Sequence, residues 1–356
     1  MTARAAPPDR QTPKERLAAF AAGRPYDRTP CKPFLGQNAA QLFGSSNRAY
    51  NTSPKAAADV LEAVFRKFRP DSVTLNAGLQ SIPEALGTVL HFPEFGPPRI
   101  DEPGLTDYAR LDDLEPADPS LSGRLPLFLE AFEDLRSRIG EEVNVDLGLG
   151  GPFTAAALLV GLDKFMRDTV HDPENVHRVL KLTAESIGRF IDRAGSLGVS
   201  VGLAEPIASN LVVSPKTFRI FAKPYIRQAV ERSIKACGRS LGLHICGKTK
   251  KIWADVAETG IAGFSLDNLE NLAEAREAIG DQVTLLGNVP PVEVLKEGRP
   301  EDVLASVKAC LEAAAGSPKG FMLASGCEVA LGTPAENILA MMDGARLYGQ
   351  NPDFAG

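Results

Sequence analysis

The chain is expected to fold as an α/β protein, a (β/α)8 TIM barrel. Three observations lead there. Short β-rich runs alternate with longer helical patterns, and that alternation implies parallel pairing with right-handed crossovers. The runs number eight, enough to close a barrel. Polar residues recur just past the ends of these runs, where a barrel carries its chemistry.

Taken in order, residues 1–24 read as an N-terminal extension. Its first dozen residues are polar and contain proline, so part of the extension is expected to be disordered. Residues 25–350 read as a single barrel domain. The eight strand runs are Pro33–Leu35, Ser72–Leu75, Val143–Leu147, Val199–Leu203, Leu241–Ile245, Gly263–Leu266, Val283–Leu286 and Gly320–Ala324. Helix starts between them are well marked. Ser53-Pro54, Asp172-Pro173 and Ser214-Pro215 each pair a capping side chain with proline at the first helical position. Thr333-Pro334-Ala335-Glu336 has the form of a capping box. Gly238 and Gly316 suit left-handed helix ends. The stretch from about Pro93 to Leu125, rich in Pro and Asp, reads as an excursion between strands two and three.

Composition excludes several function classes. The 356 residues are 44% hydrophobic and 24% charged, with a net charge of −6 and no block of Lys and Arg, which argues against a nucleic-acid surface. No apolar run reaches the length of a membrane span, and the N-terminus has no apolar core of a signal peptide. Five cysteines, an odd number in a long chain, argue against a disulfide framework and for reduced thiols in a cytoplasmic protein.

The residues richest in chemistry are His244, Cys246 and Cys327, in the segments Leu243-His244-Ile245-Cys246-Gly247 and Ala324-Ser325-Gly326-Cys327-Glu328. Alternate residues of a strand share a face, so His244 and Cys246 can point the same way. Two thiols and an imidazole form a soft site suited to zinc, with a fourth position left open as in catalytic zinc sites. On the residues alone, a hydrogen-bonded core histidine with inert buried thiols stays open beside that reading. Glu205, Asp267, Asn268 and Asn288 also follow strands and converge on the same barrel mouth. Gly150-Gly151-Pro152-Phe153-Thr154 follows strand three. It is either a loop whose backbone amides face a ligand or a tight turn into the next helix. Gly242-Leu243-His244-Ile245-Cys246-Gly247-Lys248-Thr249 matches a P-loop pattern, but the residues between its glycines read as strand, and the match is taken as chance.

These segments together are recognisable. Gly150-Gly151-Pro152-Phe153-Thr154, Ser214-Pro215-Lys216-Thr217-Phe218, His244-Ile245-Cys246-Gly247, Gly263-Phe264-Ser265-Leu266-Asp267, Gly287-Asn288-Val289-Pro290-Pro291, Gly326-Cys327 and Thr333-Pro334-Ala335-Glu336-Asn337 resemble the uroporphyrinogen decarboxylase superfamily from about Pro25 to Tyr348. Within it the chain looks more like the corrinoid-dependent methyltransferase branch, whose zinc motif of His-x-Cys followed far downstream by Cys is matched by His244, Cys246 and Cys327. Three departures separate it from the decarboxylases. The segment where they carry an arginine pair reads Phe34-Leu35-Gly36-Gln37-Asn38-Ala39. Their aspartate after the second strand is replaced by Asn76-Ala77-Gly78-Leu79. Their histidine near the C-terminus appears as Cys327.

The resemblance implies a zinc-dependent methyltransferase working between a corrinoid (methylcobamide) carried by a partner protein and a small-molecule thiol or methyl donor. Glu205 and Asp267 are expected to orient the metal ligands or handle protons, and Gly151, Phe153 and Asn288 to contact substrate. The alternatives are a porphyrinogen-type decarboxylase, a non-catalytic corrinoid- or tetrapyrrole-binding protein, and a structural-zinc or P-loop protein.

Overall fold

Eight parallel strands form a nearly closed (β/α)8 barrel in the computed structural model, which describes residues 6–354. The strands, in chain order, are β1 (Cys31–Lys32), β2 (Ser72–Asn76), β3 (Val89–His91), β4 (Arg99–Glu102), β5 (Asn144–Gly150), β6 (Val201–Ala204), β7 (Gly242–Ile245), β8 (Gly263–Leu266), β9 (Thr284–Val289) and β10 (Phe321–Ser325). Around the barrel they run β1-β10-β9-β8-β7-β6-β5-β2, and β3 and β4 form a separate antiparallel hairpin. The hairpin begins the expected excursion, slightly before Pro93.

Burial along the strands alternates as period-two geometry requires. Val145, Leu147, Leu203, Leu243, Ile245 and Leu285 are buried, while Thr74, Asp146, Gly202, His244 and Leu286 between such residues are half-buried. The first strand lies two residues earlier than the sequence suggests. Pro33 cannot donate to a ladder, so pairing is confined to Cys31 and Lys32, opposite Leu323 and Ala324. The β1–β2 seam is joined by the Asp71 N–H donating to the Cys31 carbonyl at 2.9 Å and the Asp71 carboxylate accepting the Cys31 N–H at 2.6 Å.

That seam explains the N-terminal extension. Residues 1–5 lie outside the described residues, but Pro13–Ala21 is a helix with a Thr12–Glu15 capping box. Its Arg16 is wholly buried, binding Asp27 through Nε at 2.6 Å and also reaching Asp71. Arg28 joins Asp71 at 2.7 Å and Asp9 at 2.6 Å. These ion pairs tie the helix of the extension to the barrel's N-terminal end.

The Ser53, Asp172 and Ser214 caps form as expected. Gly238 and Gly316 take φ of 71° and 75° at helix ends. The Thr333 capping box does not form. The Thr333 hydroxyl donates to the Ala330 carbonyl at 2.7 Å, and Pro334 is the N-cap of helix Ala335–Tyr348.

Candidate metal centre

His244 is the third residue of β7, Cys246 follows the strand by one residue, and Cys327 follows β10 by two. The backbone explains why they meet. Gly247 has φ of +74°, so the chain turns sharply just past Cys246, and the Gly247 N–H donates to Asp267 at 2.7 Å. A side chain at Gly326 would sit 2.6 Å from the Asn268 nitrogen, so only glycine lets the loop carrying Cys327 approach the one after β8. His244 Nε2 lies 3.1 Å from Cys246 Sγ, and the two sulfurs are 3.6 Å apart. All three donor atoms fall within 4.8 Å of one another.

These distances suit a shared metal ion. A disulfide needs sulfurs about 2.05 Å apart, whereas two thiolates on a tetrahedral zinc, each about 2.3 Å from it, stand about 3.8 Å apart. The histidine is oriented for the same purpose. Its Nδ1 faces the Ser265 hydroxyl at 3.0 Å and the Ser265 carbonyl at 3.2 Å. A proton held on Nδ1 donates there and leaves the Nε2 lone pair for the metal. The thiols titrate as a pair. The Cys246–Cys327 hydrogen bond pulls Cys327 down, and His244 adds to this against the effect of burial. The same hydrogen bond, then burial, pushes Cys246 up.

The other expected site residues fall differently. Glu205 is wholly buried, and its carboxylate accepts the Phe153 N–H at 2.9 Å and the Thr154 N–H at 2.7 Å. Burial pushes its carboxyl up to about 7, against the opposing hydrogen bonds from Thr154 and Phe153. The anion held by the loop amides at the start of helix Pro152–Val160 is therefore the protein's own carboxylate. A side chain at Gly151 would run into it. Asp267 receives the Gly247 N–H and, at 2.8 Å, the Leu269 N–H, so both its oxygens are engaged. Asn288 donates to the carbonyls of Asp267 and Glu270 at 3.0 and 2.9 Å. Gly151, Phe153 and Asn288, expected at substrate, thus serve internal contacts and are not among the described residues lining the cavity beside His244, Cys246 and Cys327.

The P-loop pattern holds no phosphate cradle. Of the residues between its glycines, Leu243, His244 and Ile245 are strand β7, and the Thr249 and Lys250 amides already donate to the Glu270 carboxylate.

The cavity of about 480 Å³ reaches from His244, Cys246 and Cys327 down the barrel axis. Barrel interiors are ordinarily filled by bulky side chains. Here Gly148, Gly202, Gly242 and Gly263 leave the space open. Two features escape the sequence reading. Glu328, beside Cys327, lines the cavity, and burial, offset in part by the Asn38 N–H, pushes its carboxyl up to about 7. Lys32 and Asp146 form a 2.9 Å ion pair inside the barrel. The adjacency of Glu328 to Cys327 was a usable signal; the Lys32–Asp146 pairing had none.

Known proteins agree with this architecture. The family model described as uroporphyrinogen decarboxylase (URO-D) matches residues 12–348. A methylcobamide:CoM methyltransferase MtaA of Methanosarcina barkeri is 27% identical over 340 residues, covering 93% of this chain and 96% of its own. A methylated-thiol–coenzyme M methyltransferase of Methanosarcina mazei is 27% identical, covering 92% and 88%. A uroporphyrinogen decarboxylase of Vibrio campbellii is 25% identical, covering 79% and 80%. The solved structure of a methyltransferase from Methanosarcina mazei superposes with a TM-score of 0.84 at 26% identity, covering 94% of this chain and 98% of its own. With the family model spanning nearly the whole chain and the barrel matching, this protein belongs to the uroporphyrinogen decarboxylase (URO-D) family.

Proposed function

We propose that this protein is a zinc-dependent methyltransferase. It moves a methyl group between a corrinoid (methylcobamide) carried by a partner protein and a small-molecule thiol or methyl donor. The observation that carries this reading is the convergence of His244 Nε2, Cys246 Sγ and Cys327 Sγ at the head of the barrel cavity. The methyltransferase names of its similar relatives support it.

His244, Cys246 and Cys327 would hold the zinc. When bound, zinc lowers the pKa of a thiol or polarises a methyl donor's heteroatom. The residues here prepare that environment. Two thiolates would cancel the formal charge of the ion they hold, so a substrate sulfur would keep its electron density. Ser265 sets the ring of His244. Asp267 pins the turn after Cys246, and Glu205 pins the neighbouring loop, so both carboxylates act on the site through backbone. Glu328 is the acid placed to hold or give up a proton beside Cys327. In the thiol direction, the substrate sulfur attacks the methyl of methylcobamide. The S–C bond forms, the Co–C bond breaks, and cobalt keeps the electron pair.

A decarboxylase is the weaker reading. A porphyrinogen carries several carboxylates whose burial needs arginine partners. Among the described residues lining this cavity the cation is Lys32, already paired. No helix among the described residues is long and apolar enough to cross a membrane. The test is metal analysis of the purified protein followed by incubation with methylcobalamin, thiols, methyl ethers and methylamines, read by cobalt absorbance. About one zinc per chain and a cobalt-state change with at least one compound are expected. Loss of carbon dioxide from uroporphyrinogen with every methyl compound inert would overturn the reading.

A further inference from the structure

We infer that Lys32 and Asp146 form the far end of the substrate site, and that this chain selects a zwitterionic thiol of the α-amino-acid type. The inference rests on the methyltransferase reading and names its substrate class. The two residues stand on β1 and β5, with β2 between them, and their 2.9 Å ion pair crosses the barrel interior. Both line the cavity that begins at the His244, Cys246 and Cys327 cluster.

Their depth follows from the chain. Phe34, two residues beyond Lys32, has its ring centroid 6.2 Å from that of His244. Two extended residues span about 7 Å. Lys32 therefore precedes, along the same chain, the residue that stands beside the cluster, and it lies farther from the barrel mouth.

The charges decide the class of molecule. Lys32 is the one lysine or arginine among the described residues lining the cavity, and its charge is already matched by Asp146. The Asp146 side chain is 40% exposed against 14% for Lys32, so the more open partner is the carboxylate. The Thr74 hydroxyl, in register with Asp146 on β2, is buried without a hydrogen-bond partner. A purely anionic tail, such as the sulfonate of 2-mercaptoethanesulfonate, would meet a neutralised cation and an open carboxylate. An ammonium beside a carboxylate satisfies both: the ammonium binds Asp146 and the carboxylate binds Lys32, each through a charge-assisted hydrogen bond.

The test is calorimetric titration of the zinc-loaded protein with L-homocysteine, 2-mercaptoethanesulfonate and 2-mercaptoethanol. Homocysteine should bind about tenfold or more tighter than either other thiol. Asp146→Asn should remove most of that advantage. By leaving Lys32 unmatched, it should also tighten 2-mercaptoethanesulfonate by about tenfold, with 2-mercaptoethanol unchanged. Lys32→Met should weaken homocysteine without creating sulfonate binding, and it serves alone if Asp146→Asn does not fold. Tighter binding of the sulfonate by the unmodified protein, or equal shifts for all three thiols, overturns the inference while leaving the methyltransferase reading intact. Failure of every thiol to bind the zinc-loaded protein overturns both.

Discussion

Replacing Ser265 with alanine tests whether His244 is built as a metal ligand. The His244 Nδ1 has two acceptors, the Ser265 hydroxyl at 3.0 Å and the Ser265 carbonyl at 3.2 Å. Losing the partner that orients a ligating histidine typically lowers metal affinity about 10- to 100-fold. Here the backbone carbonyl survives the substitution, so the loss should sit at the lower end, about tenfold or ~1.4 kcal/mol. The ring itself remains packed near Phe34. Competition against a chromophoric zinc chelator at fixed pH gives the affinity directly. Cys327→Ala, measured alongside, should lose stoichiometric zinc altogether. Unchanged affinity in Ser265→Ala, with zinc still bound by Cys327→Ala, would show that the triad is not the zinc site.

Other consequences are more quickly stated. Cys246→Ala should also abolish stoichiometric zinc, yet chelation should leave the thermal unfolding midpoint nearly unchanged, because the barrel core does not depend on the metal; collapse of the fold on chelation would instead indicate structural zinc. Glu205→Gln keeps an acceptor for one of the two loop N–H groups and turns an NH2 towards the other, so it should destabilise the fold by about 1–3 kcal/mol in urea titration while stoichiometric zinc is retained; unchanged stability would show that Glu205 is not a backbone brace. Arg16→Met leaves the buried Asp27 and Asp71 short of a partner and should destabilise by about 3–5 kcal/mol in urea titration. Burial alone would raise the Asp27 carboxyl, but the Arg16 guanidinium holds it at about 2, below its usual 3.8. The stability this gives is present above about pH 3.8 and disappears as pH falls through about 2, a loss that Asp27→Asn should blunt in acid titration.

How far the sequence carried depends on whether the information was local. The strands were legible because a barrel strand repeats its burial every second residue and sits between marked helix starts such as Ser53-Pro54. His244 and Cys246 were legible for the same reason, since two residues on one strand share a face. Cys327 joined them because a barrel sends all its strand ends to one mouth. The anchoring of the extension was not legible because the partners of Arg16 lie 11 and 55 positions away, and polarity alone does not reveal that a charge is buried against two carboxylates. The Thr333 box failed because the hydroxyl found a nearer carbonyl in its own turn.

The carboxylates teach a narrower lesson. Position after a strand says that a side chain is at the mouth; it does not say whether the side chain faces the cavity or the loops that frame it. Glu205 and Asp267 face the loops. Each accepts two backbone N–H groups, and those amides belong to the segments that enclose the centre. Glu328 and Asp146 face the cavity. A catalytic centre needs both kinds, because a ligand set is only as well placed as the backbone that carries it. In this barrel the two kinds divide by strand: the carboxylates after β6 and β8 only hold backbone in place, while those on β5 and after β10 line the cavity, Asp146 beside Lys32 and Glu328 beside the Asn38 N–H.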